Sequence, residues 1–124
     1  MRALRRFAMV MSMVFSGAAI ADAGALRGEW KGPWYIGMSS GIASMAIAED
    51  GSGEIVLTNL DDFGSEPVTL AKQSFDGKFF VFSATGASGA PLSMKLQLDD
   101  SGRHLRGNGK HTGFGARLEL QRAD

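Results

Sequence analysis

From residue 24 onward, apolar and polar residues alternate in eight short runs, and Gly, Asp, Asn or Ser residues end each run. Alternation with a period of two is typical of strands that bury one face. No segment in this part of the chain carries an apolar helical stripe longer than two turns. The pattern predicts strands over residues 28–36, 41–48, 54–60, 68–75, 78–85, 91–98, 104–111 and 116–122.

The turns between these runs indicate how the strands are arranged. Asp76-Gly77 is a strong signal for a two-residue hairpin, and the longest connection, 61–67, has only seven residues. Strands joined by short hairpins lie beside each other in the sheet, and closing an eight-stranded meander removes both of its edges. We therefore predict an all-β fold: an eight-stranded antiparallel up-and-down meander closed into a small barrel. Pro33 predicts a bulge or an edge in the first strand.

Two glycines in the seventh strand, Gly107 and Gly109, share the face of Leu105. Glycine within a strand allows a barrel wall to bend or leaves room for a large group opposite. We expect Trp30, Phe82 or a ligand to fill that space.

The first 23 residues have the three parts of a secretory signal. Three arginines lie among the first six residues, residues 7–21 are apolar, and Ala21 and Ala23 supply small side chains for cleavage. The apolar stretch is shorter than the roughly 20 residues needed to span a bilayer. We predict a signal peptide over 1–23, with cleavage after Ala21 as the alternative, and a single barrel domain over 24–124. The protein is then exported by a bacterium, into the periplasm or the medium.

Charge and composition narrow the classes of partner. Removing residues 1–23 reduces Lys plus Arg from 13 to 10 and Asp plus Glu from 13 to 12, so the remaining chain carries a net charge near −2. Binding to nucleic acid needs a concentrated basic surface, and no basic run points to an anionic membrane either. The sequence has no cysteine, which excludes disulfides, thiol chemistry and lipidation after the signal. We expect no nucleic-acid partner and no membrane span after cleavage.

The two ends of the predicted barrel resemble a known group of folds. Leu-Arg-Gly-Glu-Trp at 26–30 resembles the Gly-x-Trp opening of lipocalins and avidin-like barrels (calycins), and Leu-Glu-Leu-Gln-Arg at 118–122 resembles their last strand. The resemblance implies a small exported lipocalin-like barrel in which Arg122 covers Trp30 at one end. The chain departs from lipocalins in its short length, its lack of cysteine and its lack of a C-terminal helix.

Motifs for catalysis are weak. Gly-Met-Ser-Ser-Gly at 37–41 matches a nucleophile elbow, but a strand follows it where a helix is required, so we expect a turn. His104 and His111 are seven residues apart, which places them on opposite faces of one strand, and we expect both to be exposed without a shared metal. The acidic pairs at 49–50, 61–62 and 99–100 lie beside turns, where Asp caps backbone groups. We predict no enzyme activity, no cofactor and no metal.

Large apolar side chains suggest where a ligand would bind. They give the first functional hypothesis, which is that the barrel binds a small apolar molecule or a lipid at one mouth. The residues predicted to line this mouth are Trp34, Tyr35, Phe80, Phe82 and Met94.

The fifth strand is apolar on both faces, because Phe79 and Val81 alternate with Phe80 and Phe82. We expect the outer pair, Phe79 and Val81, to be covered by the 61–67 loop or by an oligomer contact. The alternative functional hypothesis is a protein-binding module, such as an inhibitor of a cell-envelope hydrolase, that uses the loops 61–67 and 86–90.

Overall fold

The computed structural model describes residues 23–64 and 66–123. They form a closed barrel of eight antiparallel strands in which each strand pairs with the next and the last pairs with the first. The predicted fold class is therefore confirmed. The strands are β1 (Gly28–Ile36), β2 (Ser39–Ile47), β3 (Gly53–Leu57), β4 (Val68–Phe75), β5 (Phe79–Thr85), β6 (Pro91–Leu98), β7 (His104–His111) and β8 (Phe114–Arg122).

Two short elements lie outside the strands. A 3₁₀ turn (Ala23–Leu26) precedes β1, and a one-turn helix, α1 (Asp61–Gly64), lies in the long connection between β3 and β4. The signal peptide predicted over 1–23 lies outside the described residues, apart from Ala23. Within the described residues no helix is long and apolar enough to cross a membrane.

The barrel closes between β1 and β8. Trp30 and Arg122 are direct partners in this antiparallel register, and the guanidinium carbon lies 4.3 Å from the centre of the indole ring. Arg122 also donates hydrogen bonds to the carbonyl oxygens of Ala25 (2.8 Å), Gly102 (3.2 Å) and Arg27. The predicted contact of Trp30 with Arg122 is therefore present, and it joins both terminal segments to the turn between β6 and β7.

The inward-facing side chains of the strands form one core. Burial alternates along the strands, except across the register shift in β4, as expected where one face is buried and the other is in contact with water. The six largest fully buried side chains are aromatic: Trp30, Trp34, Phe63, Phe75, Phe80 and Phe82.

Irregularities in the ladder are confined to two strands. At Gly32–Pro33 no pairing with β8 forms, although the register is the same on both sides of the gap. Pro33 thus interrupts the ladder without a shift and without an edge, since proline has no N–H to donate. The shift in register lies in β4, between Ala71 and Ser74, where Lys72 has φ 55°.

Aspartates cap three turns at the barrel end where β1 begins. Asp50 accepts hydrogen bonds from Ser52, Asp76 accepts from the N–H groups of Lys78 and Phe79, and Asp99 binds Ser101 and His104. The capping role predicted for Asp50 and Asp99 is confirmed. The Ser101 hydroxyl, followed by the His104 ring, holds the pKa of Asp99 well below its ordinary value.

Arg122→Gln tests the closing contact. We expect the free energy of unfolding to fall by about 2 kcal/mol or more, because the variant loses charged hydrogen bonds and the cation–π contact. Urea denaturation measures this loss. Arg106→Gln, which removes an exposed guanidinium group that has no side-chain hydrogen bond in the described structure, should stay within about 0.5 kcal/mol of wild type. Equal losses in the two variants would contradict the role given to Arg122.

Asp99→Asn tests the turn cap through pH. The folded pKa of Asp99 lies below the unfolded value of 3.8, so the carboxylate stabilises the fold above that value and loses this effect as the pH falls through the folded pKa. We expect the variant to be less stable than wild type at neutral pH, with the difference shrinking in acid. Denaturation curves across the acidic range measure it. Asp100→Asn is the matched control: its side chain has no hydrogen bond among the described residues, so we expect it to lower the stability at neutral pH by less than Asp99→Asn does.

Candidate functional site

One end of the barrel is closed by the long connection between β3 and β4. We call it the plugged end; it carries the connections 37–38, 58–67, 86–90 and 112–113. Phe63 of α1 is fully buried and contacts His111 edge to face, with ring centres 5.6 Å apart. The plugging role of Phe63 was missed in the sequence, where its only signal was one aromatic residue within a polar loop.

His111 is the one buried polar residue in the described part of the chain, with 7% of its surface exposed. Its Nδ1 lies 3.1 Å from the carbonyl oxygen of Pro91, so this nitrogen donates a hydrogen bond. The prediction that both histidines are exposed is wrong for His111, because β7 turns this residue inward beneath Phe63. His104 faces the other side of the strand, as predicted, and bonds Asp99.

The predicted ligand residues divide between the two faces of the barrel wall. Trp34, Phe80, Phe82 and Met94 lie together in the interior, each at most 2% exposed. Tyr35 lies on the outer face and is 44% exposed. Placing Tyr35 in the same pocket as Trp34 was wrong, because consecutive residues of a strand point to opposite faces.

The interior around these four side chains is filled by the protein itself. The Trp34 indole nitrogen donates a hydrogen bond of 2.9 Å to the Thr58 carbonyl oxygen, and the rings of Phe80 and Phe82 have centres 5.3 Å apart. A side chain at Gly109 would meet the Met94 sulfur at 2.7 Å. The space expected beside Gly109 is thus occupied by Met94 and the β6 backbone, and not by Trp30 or Phe82.

Five concavities on the described residues open to solvent, and Trp34, Phe80, Phe82 and Met94 line none of these five. One of them, about 470 Å³ in volume, lies at the plugged end between the 61–67 and 86–90 connections. We call it the loop groove. Its lining residues are Asp61, Glu66, Pro67, Val68, Thr69, Ala71, Thr85, Gly86 and Ala87.

The two connections that border the loop groove are held by their own hydrogen bonds. Phe63 N–H donates to the Leu60 carbonyl (2.9 Å), and Gly89 N–H donates to the Gly86 carbonyl (2.9 Å). The buried Phe63 ring fixes α1 to the barrel. Loops fixed on a rigid scaffold bind with a smaller loss of conformational entropy.

The outer patch of Phe79 and Val81 is not covered by the 61–67 loop. That loop lies at the plugged end, whereas Phe79 begins β5 at the opposite end. Phe79 is half-buried, with the Lys95 and Lys78 amino groups 4.6 Å and 5.5 Å from its ring centre. The expectation of a loop cover is therefore wrong. Lysine side chains shield Phe79 because an aromatic face attracts cations. The oligomer contact stays a prediction.

The remaining candidate motifs form no reactive cluster. Residues 37–38 form the turn between β1 and β2, with Gly37 at φ 58°, and residues 39–41 begin β2, so the expected turn is confirmed. Among the described residues no three His, Cys, Asp or Glu side chains are close enough to hold a metal ion.

Gly41→Ala tests the packing of Trp34. A methyl group there would lie 2.7 Å from the indole nitrogen and against the Thr58 carbonyl oxygen, so the hydrogen bond between them must break. We expect a loss of about 1–3 kcal/mol in the free energy of unfolding and a shifted tryptophan emission spectrum. Gly115→Ala is the matched control, because nothing lies within 4 Å of a methyl group there. Similar stability in both variants would contradict this account.

Comparison with known proteins extends the description of the fold. No family model and no curated protein matches the chain. Among solved structures, the chain is similar to a redesigned β-barrel, with a TM-score of 0.66 and 17% sequence identity, over 87% of this chain and 100% of that one. At this identity the likeness concerns the fold alone, and the fold it supports is an eight-stranded antiparallel β-barrel.

Proposed function

We propose that this chain is an exported, non-enzymatic barrel that binds a protein partner through the loop groove. The observation that carries the proposal is the placement of the 61–67 and 86–90 connections on either side of one groove. These are the two loops that the sequence nominated for a protein contact, and a surface built from separate loops on a rigid sheet is typical of binding modules.

The groove suits a partner surface of defined chemistry. Asp61 and Glu66 contribute carboxylates to its lining, while Pro67, Val68 and Ala87 supply apolar area. A groove lined by both apolar and acidic side chains favours a segment that presents one apolar side chain beside Lys or Arg, because charge complementarity speeds and orients association. An inhibitor of a cell-envelope hydrolase is one protein of this kind.

Binding of an apolar molecule or lipid within the barrel stays the competing hypothesis. The four interior residues nominated for it are each at most 2% exposed, so a ligand would have to displace Trp34 or Phe63 from well-packed positions. Displacing a core aromatic residue costs the free energy of its packing, and the contacts of the ligand would have to offset that cost. The packing thus supports the outer surface as the binding site.

The rest of the proposal concerns the type of barrel and where it acts. The stacking of Arg122 on Trp30 is what a lipocalin-like barrel would have at one of its ends, and it supports that assignment. The basic and apolar N-terminal segment supports export to the periplasm or the medium. We infer a small exported lipocalin-like module of bacterial origin.

Reversing the groove charges tests the function. We expect the double variant Asp61→Lys, Glu66→Lys to lose capture of a specific envelope protein that wild type retains, and to weaken binding of that purified protein at least about tenfold by calorimetry. Glu29→Lys, Glu54→Lys is the matched control, since it makes the same charge change on the outer faces of β1 and β3. Circular dichroism establishes that both variants fold.

Two results would overturn the proposal. One is equal binding of the partner by the groove variant and its control. The other is native mass spectrometry that finds one small molecule bound per barrel and a Trp34→Ala variant that no longer carries it, which would favour the interior site.

A further inference from the structure

We propose that a second region of the plugged end docks the barrel on an anionic lipid surface. This region consists of two neighbouring hairpin tips, 37–38 and 112–114, with Lys110 and Arg117 behind them; we call it the tip edge. It lies on the side formed by β1, β2, β7 and β8 and does not include the loop groove, so this proposal does not rest on the proposed function.

The tips carry the most exposed large apolar side chains of the described residues. Met38 is fully exposed, at 106% of its reference area, and Phe114 is 59% exposed. Tyr35, on the outer face of the same side, is 44% exposed. Large apolar side chains that are exposed together at one edge of a protein mark a surface that binds another protein or a membrane.

Both tips have a fixed conformation. Thr112 and Gly113 have φ 49° and 86°, as a type I′ turn requires, and Gly37 has φ 58° at the first position of its own two-residue turn. The Gly37 N–H donates a hydrogen bond of 3.2 Å to the Gly115 carbonyl oxygen and thereby joins the two tips. Met38 and Phe114 therefore lie side by side on rigid turns, so no flexible loop has to become ordered before they bind.

Positive charge lies directly behind the tips. Residues 33–44 and 107–118 contain Lys110 and Arg117 and no Asp or Glu. Lys110 is opposite Gly115 in the sheet and Arg117 is opposite Tyr35. Lys95 and Arg106 extend the basic strip along the outer wall, and its one carboxylate, Glu119, bonds Arg117 at 2.6 Å on the side away from the tips.

The spacing of apolar and basic groups matches the layers of a bilayer surface. Arg117 lies three residues from Phe114 along β8, which is about 10 Å at the strand rise. Apolar groups at a membrane interface penetrate about 5–10 Å. With Met38 and Phe114 among the acyl chains, Lys110 and Arg117 reach the level of the phosphates, where each cation adds to binding.

The shape of the tip edge favours lipid over a protein or nucleic acid. Two convex tips bring few side chains to a partner, whereas stable protein interfaces bury about 1,000 Å² or more with close shape complementarity. A bilayer accepts a protruding side chain without matching its shape. Single-stranded nucleic acid is bound along a basic groove that carries aromatic rings inside it, whereas Phe114 lies on a convex tip ahead of the basic residues.

Vesicle cosedimentation tests the proposal. The probe is vesicles of phosphatidylglycerol and phosphatidylethanolamine, with phosphatidylcholine vesicles as the neutral comparison, and every variant carries the same N-terminus, verified by mass spectrometry. We expect binding to the anionic vesicles that weakens with salt. We expect two double variants to bind the anionic vesicles with about one tenth of the wild-type affinity or lower. One removes the apolar side chains (Met38→Ser, Phe114→Ser), and the other removes the charges (Lys110→Gln, Arg117→Gln).

Matched variants elsewhere on the barrel complete the experiment. Val81→Ser removes an exposed apolar residue, and Lys31→Gln, Lys72→Gln removes two exposed charges; both should bind as wild type does. Absence of binding to anionic vesicles at low salt would overturn the proposal, and so would equal losses in tip and control variants. A dimer in light scattering that Phe114→Ser dissolves, without vesicle binding, would overturn it in favour of self-association.

Discussion

The barrel depends on the pairing of its first and last strands, and the side chain of Arg122 makes several of the interactions that hold these two strands together. Its guanidinium stacks on Trp30 and donates to carbonyl groups of the N-terminal 3₁₀ turn and of the turn before β7. The Trp30 indole in turn donates to the Leu26 carbonyl oxygen at 2.9 Å. One charged side chain thus satisfies backbone carbonyl groups from two segments, at the place where the sheet would otherwise end in two unpaired edges.

The strands and the closure were predictable because they follow from local rules. Alternation identified all eight strands, and four of them have the predicted bounds. The Asp caps followed from turn chemistry, since the carboxylate of an aspartate in a turn accepts hydrogen bonds from nearby backbone N–H groups. The contact of Trp30 with Arg122 followed from resemblance, and the register between β1 and β8 explains it physically.

The errors concern which residues meet across the barrel. Burial of His111 depends on Phe63, which lies in another connection and carries no periodic signal. Tyr35 was placed with Trp34 because both are large and aromatic, although alternation alone assigns them to opposite faces. The sequence did not predict the basic strip of Lys95, Lys110 and Arg117, because these residues are separated in sequence. They come together only when β6, β7 and β8 pair. Net charge near zero conceals such a surface, since aspartates such as Asp99 are engaged in turns.

The strand order has a consequence for the route by which the chain folds. Seven of the eight pairings join consecutive strands, and only β1 with β8 brings distant parts of the chain together. Hairpins form fast because their loops are short, whereas the last pairing must wait for the ends of the sheet to meet. An intermediate in which seven of the eight strand pairings have formed would expose two unpaired edge strands, and these can pair with other chains. The rate at which β1 pairs with β8, rather than the stability of any hairpin, then sets how long a newly made chain is prone to aggregate.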